Sequence, residues 1–76
     1  MNVLIHDTSS AQYLAANNRW TDNAMEAEDF RFSLTADSMA KMMNLKHYEI
    51  IYYCPETHYR ILIFRSTDSQ PAGQQN

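Results

Sequence analysis

The stretch YEIIYYCPETHYRILIF, Tyr48 to Phe64, decides the fold. Pro55 cannot donate to a strand ladder and marks a turn, so the apolar runs on either side of it read as a β-hairpin. A four-residue loop, 55–58, sets Cys54 opposite Tyr59, Tyr52 opposite Ile61 and Ile50 opposite Ile63. The alternate set is Tyr53 with Arg60, Ile51 with Leu62 and Glu49 with Phe64. Arg60 and Glu49 mark this second set as the outer face. A strand with one face in water alternates apolar and polar residues. This hairpin barely does: Ile50, Ile51, Tyr52 and Tyr53 are contiguous, as are Ile61, Leu62, Ile63 and Phe64. Both of its faces call for cover.

One cover is legible just upstream, in SLTADSMAKMMNL, residues 33–45. Ala36, Met39, Ala40 and Met43 recur at helical spacing and form one apolar stripe. Thr35 reads as the N-cap, with Leu34 and Met39 placed as a hydrophobic staple. Asn44 suits a left-handed C-terminal position, with Leu45 folding back onto the last turn. A helix of this length does not persist alone in water, so it is expected to lie on Ile50, Tyr52, Cys54, Tyr59, Ile61 and Ile63.

Working toward the N-terminus, NVLIHD (2–7) reads as a strand with Val3 and Ile5 on one face and Leu4 and His6 on the other. TSSA is turn-forming, and QYLA (12–15) returns as a second strand. In WTDNAMEAEDF, Thr21 or Asp22 can cap a short helical turn, and Trp20 and Phe30 are apolar anchors. Glu26, Glu28 and Asp29 read as a solvated face. The expected fold class is therefore α+β: a two-layer ββαββ arrangement, an antiparallel sheet with one main helix on one face. Residues 1–65 form a single domain, and 66–76, STDSQPAGQQN, read as a disordered tail without apolar periodicity.

Composition narrows the function classes. A chain of 76 residues buries only about 60–65% of its unfolded surface, and small folds without staples lean on partners or self-association. Cys54 is the single cysteine, so no internal disulfide forms, and a lone thiol fits a reducing, cytoplasmic setting. Leu, Ile, Val and Phe number only 14 of 76; five Met, five Tyr and one Trp supply the missing apolar volume. The net charge of −3 and six scattered Lys and Arg residues argue against phosphate-backbone binding. No run approaches the ~18 apolar residues of a membrane span. The N-terminus lacks the basic and long apolar regions of a signal peptide.

Chemistry-bearing patterns are sparse. Cys54-x3-His58 could be read as a thiolate–imidazole pair or half a metal site. Neither has the further ligands, or the third orienting group and oxyanion site, that such chemistry requires. No Walker, Rossmann, EF-hand or HExxH pattern is present. The sequence therefore points to a non-enzymatic protein with no metal and no cofactor. Tyr52, Tyr53 and Tyr59 invite comparison with single-stranded nucleic-acid platforms, but those need a basic rim that is missing here.

What covers the outer face stays open between three answers. The 20–32 segment could fold over it within the monomer. A small-ligand pocket could lie between sheet and loops. Alternatively the face, Ile51, Tyr53, Leu62, Phe64 and Leu4, is an interface for a second copy or another protein. The interface is the expectation drawn here, with a homodimer as its simplest form and ligand or metal binding near Cys54 and His58 as the alternative.

The pattern Tyr13-Leu14, Trp20-Thr21 and Ala27-x-x-Phe30, ahead of a helix and a final hairpin, resembles a group of small bacterial domains. The resemblance implies the ββαββ layout and a bacterial origin, and brings no catalytic residues with it.

Overall fold

The computed structural model describes residues 1–66. The stretch expected to be a disordered tail thus lies outside the described residues, apart from Ser66. The protein is a two-layer α+β fold: one α-helix lies on a five-stranded antiparallel sheet. The strands are β1 (Asn2–Asp7), β2 (Gln12–Leu14), β3 (Trp20–Thr21), β4 (Tyr48–Cys54) and β5 (Tyr59–Arg65), and the helix is α1 (Ser33–Met42). The sheet order is β3-β2-β1-β4-β5, so the N-terminal strand is central. Its Val3, Leu4 and Ile5 are all buried, as a strand covered on both faces requires. The two-residue β3 was not expected. Trp20 and Thr21 pair with Leu14 and Tyr13 instead of entering a helical turn, and the 3₁₀ turn begins later, at Ala24, where the Asn23 side chain accepts from the Met25 amide.

Helix α1 starts two residues before the expected cap: Phe32 is the extended N-cap residue and Thr35 lies inside the first turn. Its C-terminus follows the sequence closely. Asn44 takes φ 60°, the Leu45 amide donates to the Ala40 carbonyl at 3.1 Å, and the Asn44 amide donates to Lys41 at 3.0 Å. These two bonds are the Schellman pair, which uses carbonyls that the helix end would otherwise orphan. Ala36 and Ala40 are fully buried, with Met39, Met43 and Leu45 packed around them. The small alanines let the helix approach β1 and β4 closely, and the Tyr48 hydroxyl donates to Asp37 at 2.6 Å to fix it there.

The second face is closed by the same chain. Ala24 and Ala27 pack on a buried cluster of Leu4, Tyr13, Ile51 and Tyr53. The backbone then passes through the sheet. β2 pairs with β1 only at His6 and Asp7, which leaves a wedge between the two strands, and residues 27–30 fill it. Ala27 bridges Ala15, the Glu28 amide donates to Leu14, and the Phe30 amide donates to Val3. The Asp29 carboxylate accepts from the Val3 and Arg31 amides, both at 2.9 Å. Beyond the wedge, Phe30 packs on the helix-side cluster with Trp20. The 23–30 strap therefore carries the chain from one face to the other and satisfies strand groups that β2 does not reach.

Ser66 also departs from expectation. Its amide donates to the Tyr48 carbonyl at 2.8 Å, and its hydroxyl donates to Lys46 and accepts from the Tyr48 amide.

Two predictions come from these local geometries. Ala11 closes the first hairpin at φ 62°, where a Cβ costs about 1–2 kcal/mol. Ala11→Gly should therefore raise the melting temperature by a few degrees in a thermal scan, the larger backbone entropy of glycine offsetting part of the gain. The Val3 amide, with Arg31, holds the Asp29 carboxyl below its usual 3.8. A depressed folded value adds stability that is fully present above the unfolded value and is lost as pH falls through the folded one. The stability advantage of wild type over Asp29→Asn in urea should be constant above about pH 5 and shrink toward zero below pH 3.

Candidate functional site

The hairpin register decides which apolar residues stay exposed. Cys54–Tyr59, Tyr53–Arg60, Tyr52–Ile61 and Ile51–Leu62 pair as the loop length requires. Past Ile51 the register shifts: Ile50 faces Phe64 and Glu49 faces Arg65, leaving Ile63 as the extra residue of a β-bulge. A bulge reverses the alternation beyond it. Phe64 thereby moves to the helix side, where its ring meets Tyr48 edge-on at 6.2 Å. Arg65 meets Glu49 through Nη2 at 2.9 Å and Nε at 3.0 Å. The expected pairing of Glu49 with Phe64 would have set a carboxylate against an aromatic ring; the bulge replaces it with an ion pair and a ring contact.

The expected interface set is therefore divided. Leu4, Ile51 and Tyr53 are buried within the chain under the strap, so they present no open surface. The expectation that they are exposed is corrected, because Ala24 and Ala27 cover them. Phe64 lies on the other face. Of the set, only Leu62, 46% exposed, remains accessible on the outer face.

Exposed apolar surface gathers instead along β5. Helix α1 packs over β1 and β4 and leaves this edge strand with Tyr59 63%, Ile61 43% and Phe64 36% exposed. Leu34 on α1 is 80% exposed. Between helix and strand runs a shallow apolar groove of about 270 Å3, lined by Ser33, Leu34, Asp37, Ile63 and Phe64. Both arginines of β5 turn to the opposite face, Arg65 to Glu49 and Arg60 to the Tyr13 hydroxyl. The helix side of the edge is thus apolar, and its outward backbone groups have no strand neighbour among the described residues.

Cys54 and His58 are not brought together. The thiol donates to Glu56 at 3.3 Å, while His58 joins Tyr53 on the strap side, its Nδ1 2.7 Å from the tyrosine hydroxyl. His6 stacks on Tyr13 and reaches Glu49 at 3.3 Å. No group of three or more His, Cys, Asp or Glu residues among the described residues could hold a metal ion. No helix among them is long and apolar enough to cross a membrane. The shift of exposure from the hairpin's outer face to β5 left one sequence signal: seven strand residues with a single apolar block.

Fold and surface together define a small two-layer α+β domain whose apolar edge strand is uncovered by the other described residues. No family model matches the chain, no curated protein is significantly similar to it, and no solved structure matches it significantly.

The division of the hairpin is measurable. Ile51→Asp places a charge in the closed second-face cluster and should cost about 4 kcal/mol or more. Leu62→Asp, on the accessible edge, should change the stability of the monomer by less than ~1 kcal/mol. Urea unfolding of the two variants at low protein concentration separates them.

Proposed function

We propose that the chain is a small, non-enzymatic protein–protein interaction module that self-associates along β5. The observation that carries this reading is the edge strand itself: seven residues long, apolar on its helix side, and bordered by the exposed Leu34. An unpaired strand edge is a template for another strand, and an edge paired with its own copy about a two-fold axis is self-complementary. Centred on Leu62, an antiparallel pair would set Ile61 against Ile63 and Tyr59 against Arg65 of the second copy, with no like charges opposed. In this register the 59–61 stretch of each copy lies against the bulged 63–65 stretch of the other. Burying ~500 Å2 of apolar surface would contribute on the order of 12 kcal/mol before association costs, which are of similar size. A weak, concentration-dependent dimer is the form that such a balance supports.

Catalysis has no support at Cys54 and His58, which have separate partners. The lone thiol suits a reducing compartment, and we place the protein in the cytoplasm. The measurement is light scattering behind size-exclusion across a concentration series. The mass should rise from 8.9 kDa toward twice that value, and Ile61→Asp should return it to the monomer with an unchanged circular dichroism spectrum. Wild type that stays monomeric at millimolar concentration would overturn self-association.

A further inference from the structure

The strap does more than close the second face: it forms one wall of a polar cleft of about 390 Å3. The floor and far wall come from Tyr13 on β2, Tyr53 on β4, His58 in the final turn, and Arg60 on β5. Residues 47 positions apart thus converge, since Arg60 Nη1 donates to the Tyr13 hydroxyl. From this geometry we infer that the cleft is a binding site for a small oxyanion, a carboxylate or a phosphate, held by Arg60 with Tyr13 and His58.

Three features carry the inference. Arg60 has no carboxylate partner among the described residues, whereas Arg65 on the same strand is paired with Glu49. Tyr13 takes one of its hydrogen bonds, so most of the guanidinium donors stay available in the planar fork that matches an oxyanion. Tyr13 is 95% buried, and its oxygen accepts from Arg60. Its own O–H has no acceptor among the described residues, and Tyr13 lines the cleft, so that donor is free to meet a ligand there. An oxyanion beside Arg60 supplies the acceptor. His58 adds a third donor. Its Nδ1 lies 2.7 Å from the Tyr53 hydroxyl, and in the tautomer in which that hydroxyl donates, the ring proton sits on Nε2. Among the described residues Asp22 is the one carboxylate lining the cleft, and it lies just ahead of the strap. It disfavours highly charged ligands and selects for a small or singly charged one.

The test is a two-dimensional amide NMR titration of the full chain with inorganic phosphate and, separately, acetate, at constant ionic strength. Expected are saturable shifts confined to the neighbourhoods of Tyr13, Ala24, Tyr53, His58 and Arg60. The stronger of the two anions identifies the ligand chemistry. Arg60→Gln should weaken binding at least about tenfold and Tyr13→Phe by a few-fold, while Asp22→Asn, at an exposed position, should strengthen it. Arg65→Gln should leave it unchanged. If neither anion gives saturable shifts in wild type, or if a folded Arg60→Gln binds as tightly as wild type, the site is overturned. Both readouts use wild-type or dispersed spectra, so a misfolded variant is recognised directly.

Discussion

A sheet that is apolar on both faces has to be covered twice, and this chain has one short helix with which to do it. The solution is the threading of residues 27–30 through the wedge between β1 and β2. Those residues give the Val3 and Leu14 edges their hydrogen bonds. With Ala24 they also put two alanines on one face and Phe30 on the other. Val3 is fully buried, so unpaired strand groups there would carry the full desolvation cost of a lost hydrogen bond. Small side chains are needed at Ala24 and Ala27 because the backbone lies directly on the sheet.

Coverage of this kind is uneven. The strap and helix both centre on β1 and β4, where Leu4, Ile5, Ile50 and Ile51 are closed off from water. β5, at the far edge, receives neither. Its arginines are drawn to the second face by Glu49 and Tyr13, which concentrates apolar surface on the helix side and charge on the other. The same strand thus contributes to two different surfaces: an apolar edge suited to another strand, and a polar cleft to which it brings Arg60. Ordinary strand alternation separates Arg60 from Tyr59 and Ile61, and the bulge at Ile63 adds Phe64 to the helix side and Arg65 to the other.

Small size makes these features matter more. A domain with no disulfide and few aliphatic residues relies on polar ties between elements, such as Tyr48 with Asp37 and Ser66 with Lys46. Each contributes roughly 1 kcal/mol, a sizeable share of the stability available to a chain of this length.

Much of the layout was written in local pattern. The strand 2–7, the apolar stripe of the helix, the Asn44 cap and the four-residue turn after Cys54 all follow from periodicity and turn chemistry, which depend on near neighbours alone. The α+β class follows from the order of those patterns. The tertiary structure decided the rest. Strand order, the pairing of Trp20 and Thr21 as β3, and the path of the strap through the sheet depend on hydrogen bonds between residues far apart in the chain. The bulge depends on whether Phe64 or Arg65 sits better across from Glu49, a choice no window of sequence contains. The strap closed Leu4, Ile51 and Tyr53 and left the exposed surface on β5, and the cleft joining Tyr13 to Arg60 became visible only once the sheet had brought them together.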